Sequence, residues 1–137
     1  MDKKFKRGIT ASTFDLLHAG HILMLKEAKS VCDYLIVALQ VDPTNDRPEK
    51  NRPIQSYYER WVQLSAVKYV DEIIPYTHEH ELLTILQNNN IDIRILGDEY
   101  EHKMFTGRGL NMEYYYNKRT HEYSSTELRE RISKNHN

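Results

Sequence analysis

Cysteine is nearly absent from this sequence, and so are long apolar runs and any excess of positive charge. The single cysteine, Cys32, cannot form an internal disulfide, which favours a reducing compartment. No segment approaches the roughly 20 apolar residues of a membrane-spanning helix, and no apolar stretch follows the charged N-terminus. A net charge of −1 provides no electrostatic reason to bind nucleic acid. We therefore expect a cytoplasmic protein whose partners are neither nucleic acids nor membranes.

The 137 residues are 39% hydrophobic and 28% charged, which is typical of one ordinary folded domain spanning residues 1–137. Apolar patterns of strand and helix periodicity alternate along the chain. They predict strands over residues 5–13, 34–41, 70–75, 91–96 and 112–117, and helices over residues 18–31, 56–68, 78–90 and 125–133. A loop with three prolines occupies residues 42–53, and one with two glycines occupies residues 100–110.

The alternation of strands and helices predicts a Rossmann-like α/β fold. Such a fold is a doubly wound parallel sheet, here of about five strands, with helices on both faces. Ligands of these sheets bind beyond the carboxyl ends of the strands. The loops that follow Thr13, Val41, Leu96 and Asn117 are therefore predicted to hold the functional residues.

Two histidines mark the start of the first predicted helix. His18 and His21 are three residues apart, so they share one face of a helix. The free amides and the dipole of a helix N-terminus favour an anion, and two imidazoles there can donate hydrogen bonds to phosphate oxygens. Two other interpretations remain open from spacing alone. The pair could be structural, or it could bind a metal, although Asp15 is the only nearby residue that could be a further ligand.

Four short segments occur in the order of a known family. They are residues 13–21 (TFDLLHAGH), 68–75 (KYVDEIIP), 97–103 (GDEYEHK) and 119–126 (RTHEYSST). The first ends in a His-x-Gly-His motif, and together the four resemble the cytidylyltransferase family of the nucleotidyltransferases. Within that family, the short single-domain length is most similar to that of the glycerol-3-phosphate cytidylyltransferases.

The resemblance implies an enzyme that transfers CMP from CTP to a phosphorylated alcohol such as glycerol 3-phosphate. The products would be CDP-glycerol and pyrophosphate, a reaction that serves teichoic acid synthesis. It also implies Mg²⁺ or another divalent cation as cofactor, and a homodimer. The alternatives are another acceptor (phosphoethanolamine, a sugar phosphate or a heptose phosphate), another nucleotide, or a non-catalytic nucleotide-binding protein.

The resemblance also implies roles for individual residues. The catalytic residues would be His18, His21 and Arg119. The nucleotide-binding residues would be Thr13, Phe14, Lys50, Lys68, Asp98, Glu99, Thr120, Ser124 and Ser125. Arg52 is the alternative to Lys50 as the loop cation. Ser124 and Glu127 have capping-box spacing, so the serine could serve only its helix, and Asp15 could lie near the metal or merely hold its turn.

The chain departs from the family pattern in three places. Ser12 stands where the family has glycine, which could crowd the nucleotide or change a backbone angle. Lys68 replaces an arginine, whose planar fork an ammonium does not reproduce. Glu122-Tyr123 replaces Gly-Ile in the last segment. These departures bear on the nucleotide and the acceptor more than on the type of reaction.

Overall fold

Five strands and four α-helices alternate along residues 4–135, the part of the chain that the computed structural model describes. The strands are β1 (Phe5–Ser12), β2 (Cys32–Gln40), β3 (Glu72–Tyr76), β4 (Ile93–Gly97) and β5 (Glu113–Asn117). The helices are α1 (Ala19–Ser30), α2 (Tyr57–Ser65), α3 (Glu79–Asn88) and α4 (Ser125–Lys134). None of these helices is long and apolar enough to cross a membrane.

The five strands form one sheet in the order β3-β2-β1-β4-β5, and every neighbouring pair is parallel. The register pairs Phe5 with Cys32 between β1 and β2, and Ile36 with Glu72 between β2 and β3. This arrangement confirms the predicted Rossmann-like parallel sheet, including its fifth strand. All five strands direct their carboxyl ends to one edge, because parallel strands run the same way.

A hydrophobic core lies on each face of the sheet, as predicted. On one face, α1 and α2 contribute Leu25, Ala28 and Leu64, which pack on sheet residues that include Val37 and Ile95. On the other face, α3 contributes Leu82 and Leu86, which pack on Ile9, Ile36 and Ala38. Both faces of the central strands are thus covered, which explains the nearly continuous apolar run of β2.

The largest boundary difference concerns the segment between α2 and β3. The helix begins as predicted, with a capping box in which Ser56 Oγ accepts from the Glu59 amide at 3.1 Å. It ends at Ser65 instead of residue 68, and hydrogen-bonded turns follow, such as Val70 N to Val67 O at 3.1 Å. β3 accordingly starts at Glu72 and not at residue 70.

Candidate active site

A cavity of about 790 Å³ opens along the carboxyl edge of the sheet, where the topology predicts a ligand. It lies between the ends of β1 and β4 and the N-termini of α1 and α4. Nine of the predicted site residues line it: Thr13, His18, His21, Lys50, Asp98, Glu99, Arg119, Ser124 and Ser125. The fold therefore brings residues from both ends of the chain into one site.

The two histidines of the motif stand at the first turn of α1, and backbone amides determine which nitrogen of each ring carries the proton. His18 is the N-cap residue, and its Nδ1 accepts from the Gly20 amide at 3.0 Å. The His18 amide donates to Nδ1 of His21 at 3.2 Å. A neutral imidazole that accepts at Nδ1 carries its proton on Nε2. Each ring therefore has an N–H donor at Nε2, and the two ring centroids lie 3.9 Å apart.

Burial keeps both imidazoles neutral near pH 7. It lowers the pKa of His21 to about 4, with a further decrease from His18 and an opposing effect of Asp15. Burial also lowers the pKa of His18, and the electrostatic effects of His121 and Arg119 lower it further. The rings can thus donate from Nε2 without carrying a full charge.

The turn between β1 and α1 has an unusual backbone. Phe14 and Leu16 have φ of 49° and 53°, in the left-handed region that large side chains rarely adopt. This conformation directs Phe14 into the core, where it is 1% exposed and meets the edge of the His21 ring with centroids 5.3 Å apart. Phe14 therefore packs against the His21 ring from the core and does not line the cavity.

Asp15 holds the loop that precedes α2. Its Oδ2 accepts from the Ile54 amide at 2.8 Å, and its Oδ1 accepts from the Gln55 amide at 3.0 Å. Arg129 of α4 approaches Oδ2 at 3.4 Å, and Asp15 is only 6% exposed. Of the two roles that the sequence left open, the contacts support the structural one.

Arg60 is a residue that sequence reasoning missed. It is 1% exposed, and its guanidinium donates to four backbone carbonyl oxygens at the carboxyl edge. The acceptors are Thr13 at 2.9 Å, Gln40 at 2.6 Å, Val41 at 2.7 Å and Gln55 at 3.2 Å. One side chain thereby joins the loops after β1 and β2 to α2, and so shapes the floor of the site.

The start of α4 forms the wall opposite the histidines. Ser124 Oγ accepts from the Glu127 amide at 3.0 Å and so caps the helix. Ser125 Oγ lies 3.3 Å from Nε2 of His18. Arg119 also lines the cavity, and its Nη2 donates to the Tyr123 carbonyl at 2.8 Å. Arg119 and His18 thus line the same cavity.

His121 is a second missed residue, and it repeats the geometry of the motif histidines. Its Nδ1 accepts from the Tyr123 amide at 3.1 Å, which leaves the proton on Nε2 in the neutral ring. It lines the cavity, and its ring lies close to Gly20, where a Cβ would meet ring atoms of both His121 and His18 at about 3 Å. The structural signal is spatial, because the position of His121 within the 119–126 segment does not by itself indicate a role.

Charged residues of two loops complete the lining. Lys50 lies in the cavity wall, whereas its alternative Arg52 makes an ion pair with Asp42 at 3.4 Å and does not line the cavity. Asp98 and Glu99 follow the end of β4 and also line it.

Three predicted residues are not brought to the cavity. Phe14 is buried in the core, as described above. Lys68 precedes β3 and therefore lies toward the amino edge of the sheet, where its Nζ sits 5.3 Å from the Tyr69 ring centroid. Thr120 is exposed and lines a separate cavity of about 130 Å³ beside α1. Ser12, by contrast, lines the main cavity, and its φ is not in the left-handed region.

Comparison with known proteins places this geometry in a family. The Cytidylyltransferase-like family model matches residues 9–131. The chain is 38% identical to the glycerol-3-phosphate cytidylyltransferase of Bacillus subtilis (93% of this chain, 98% of that one) and 34% identical to that of Staphylococcus aureus (93% and 95%). A lipopolysaccharide core biosynthesis protein of Thermoplasma volcanium superposes with a TM-score of 0.69 at 28% identity, over 87% of this chain and 98% of that one. This chain belongs to the cytidylyltransferase-like family.

Proposed function

We propose that the protein transfers CMP from CTP to glycerol 3-phosphate and releases pyrophosphate. The observation that carries the proposal is the pair of Nε2–H donors that His18 and His21 present beside the N-termini of α1 and α4. Two helix N-termini and neutral donors form a binding site for a polyphosphate. The two relatives named above are glycerol-3-phosphate cytidylyltransferases, and they supply the identity of the substrates.

The mechanism is direct in-line displacement. A phosphate oxygen of the acceptor attacks the α-phosphorus of the nucleotide, and the bond to the pyrophosphate breaks as the new one forms. Such a reaction needs positioning and charge stabilisation and no covalent enzyme intermediate. The Nε2–H groups donate to phosphate oxygens as charge grows on them, and Arg119 neutralises the leaving pyrophosphate. Lys50 contributes a further positive charge from the loop after β2.

We propose Mg²⁺ as the cofactor, carried into the site by the triphosphate. No group of three or more potential ligands among His, Cys, Asp and Glu forms within residues 4–135. Asp15, Asp98 and Glu99 all line the cavity, but both oxygens of Asp15 already accept from backbone amides. These residues fit an ion that keeps mainly phosphate and water ligands, as Mg²⁺ does in nucleotide sites, where it neutralises phosphate charge.

Pyrophosphate release tests the proposal. CTP, UTP, ATP and GTP are each assayed with glycerol 3-phosphate, phosphoethanolamine and a heptose phosphate, in the presence of Mg²⁺. We expect CTP with glycerol 3-phosphate to be the best pair. A parallel thermal-unfolding titration should show stabilisation by CTP, which reaches about 2.7 kcal/mol at 100 times its Kd. Turnover with ATP or GTP but not CTP would overturn the assignment of CTP as the nucleotide. Absence of turnover in every mixture would overturn the assignment of enzymatic activity.

We also propose a homodimer. Ile54, Tyr58, Trp61 and Val62 are 41–71% exposed on and just before α2, and the rings of Tyr58 and Trp61 stack. Exposed apolar side chains that lie together favour a protein interface. Light scattering of the purified protein, compared with Tyr58→Glu, tests whether this surface holds two copies together.

A further inference from the structure

One side of the cavity holds a charged cluster that the mechanism does not use. We define the polar cluster as Arg47, Glu79 and Arg94, all of which line the cavity. Arg94 belongs to β4 and is 6% exposed, on the sheet face that α3 covers. Arg47 lies in the loop after β2, and Glu79 is the first residue of α3. A buried arginine in a central strand is costly unless it is paired, so its partners matter.

The contacts within the cluster leave several polar atoms unpaired. Arg47 Nη2 lies 3.2 Å from Glu79 Oε1, and Arg94 Nη1 donates to the Thr106 carbonyl. Within residues 4–135, Nε of Arg47, Nε of Arg94 and Oε2 of Glu79 are buried and have no hydrogen-bond partner. Buried polar atoms are normally satisfied, and each unmade hydrogen bond is unfavourable. Two unpaired donors and one unpaired acceptor, all buried on residues that line a single cavity, indicate a ligand.

The open atoms specify the chemistry of that ligand. A phosphate or carboxylate only accepts, so it would leave Oε2 of Glu79 without a donor. An ammonium group only donates, and the two guanidiniums would repel it. A hydroxyl group donates to Glu79 and accepts from an arginine at once, and adjacent hydroxyls can serve both arginines.

We propose that the polar cluster binds the vicinal diol of the acceptor, so that the enzyme selects a phosphorylated polyol over an amino alcohol phosphate. This inference rests on the proposed function, because it assigns the acceptor end of the same cavity. His18, His21 and Arg119 occupy the side formed by α1 and α4, which leaves the α3 side for the acceptor. The diol contacts orient the acceptor phosphate toward the nucleotide.

Acceptor analogues and near-isosteric variants test the assignment. Propyl phosphate is glycerol 3-phosphate without its two hydroxyls, and phosphoethanolamine carries an ammonium in their place. Glu79→Gln removes the negative charge of the carboxylate that accepts the hydrogen bond. Arg94→Lys keeps the positive charge but removes Nε. Arg108→Lys is the matched control, because Arg94 and Arg108 both lie 5.2 Å from the Phe105 ring centroid while Arg108 is exposed and outside the cavity.

In steady-state assays at saturating CTP, we expect the KM for glycerol 3-phosphate to rise about tenfold or more in Glu79→Gln and Arg94→Lys. The KM for propyl phosphate should stay within about twofold, the KM for CTP should not change, and Arg108→Lys should match the wild type. The inference is overturned if both variants retain the wild-type KM for glycerol 3-phosphate. It is equally overturned if they raise the KM values of both acceptors alike, or if the wild type uses phosphoethanolamine better than glycerol 3-phosphate.

A binding measurement separates this inference from the proposed function. Glycerol 3-phosphate and propyl phosphate are titrated calorimetrically into the wild type and Glu79→Gln. Preference for the diol in the wild type, and its loss in Glu79→Gln, supports the diol site even if CTP proves not to be the nucleotide. Equal binding of the two ligands to the wild type would overturn the proposed diol site and would not affect the proposal of cytidylyl transfer. Thermal unfolding establishes that each variant is folded. Glu79→Gln depends less on core packing than Arg94→Lys does, because the Glu79 side chain is 33% exposed.

Discussion

The backbone amide of His18 donates to Nδ1 of His21 across 3.2 Å, while Nδ1 of His18 accepts from the amide of Gly20. Each histidine therefore uses one ring nitrogen to cap α1 and keeps the other for the cavity. The structural interpretation and the phosphate-binding interpretation of the pair are compatible, because they concern different atoms of the same rings. A metal bound at Nδ1 would have to break the cap.

The first prediction separates the two uses of these rings. His18→Ala and His21→Ala should each lower kcat by on the order of 100-fold or more, because a preorganised donor to developing charge is lost. His18→Asn retains an N-cap acceptor and should keep more of the stability, yet lose as much activity. Urea denaturation and pyrophosphate release measure the two effects. Near-normal kcat in both folded alanine variants contradicts the assignment.

The lowered pKa of His21 predicts how stability depends on pH. The unfolded chain takes up a proton at His21 below its ordinary pKa of 6.5, whereas the folded protein does so only below about 4. Between these values the unfolded state binds more protons, so the free energy of unfolding falls as the pH falls. His21→Gln should flatten this part of the curve. Urea denaturation across the window tests it, and identical slopes for the two proteins would refute the assignment.

Arg119→Lys should lower kcat/KM about tenfold, because an ammonium cannot reproduce the two-pronged contact of a guanidinium with phosphate. The control is Arg131→Lys, whose exposed side chain pairs with Glu127 at 3.6 Å on α4. Steady-state kinetics with CTP compare the two variants. If both match the wild type, Arg119 is only a surface cation.

Arg60→Lys should reduce the free energy of unfolding by about 2–4 kcal/mol, since an ammonium group cannot reach four carbonyls and leaves buried acceptors unpaired. Because those carbonyls shape the loops after β1 and β2, kcat should fall as well. Urea denaturation provides the energy difference, and Arg131→Lys again serves as the control. A variant as stable as the wild type would show that water replaces the lost contacts without cost.

His121→Ala should raise the KM for CTP several-fold, because about one hydrogen bond to a charged phosphate is lost. The half-buried side chain caps no helix, so the melting temperature should change little. A KM that matches the wild type would show that the Nε2–H of His121 does not meet the nucleotide.

Much of the fold could be predicted from the sequence because its causes are local. Alternating apolar periods predicted the five strands and four helices. The Ser56 to Glu59 spacing predicted a helix start that the structure confirms. Helix ends were less certain, as the early end of α2 at Ser65 shows, because the following turns have no strong residue signal. For the site, the motif at residues 18–21 indicated the histidines, and the strand ends indicated the edge where they lie.

What the sequence by itself determined was the class of fold, the family and the edge of the sheet that holds the site, since each depends on neighbouring residues. Only the tertiary structure decided which distant side chains meet. Arg60 and Arg94 belong to no sequence motif, and their burial follows from the loops and strands packed around them. Lys68 reads as part of a nucleotide motif, yet it lies before β3 and so toward the amino edge. Strand order and chain direction set these distances, and neither is encoded in any single segment.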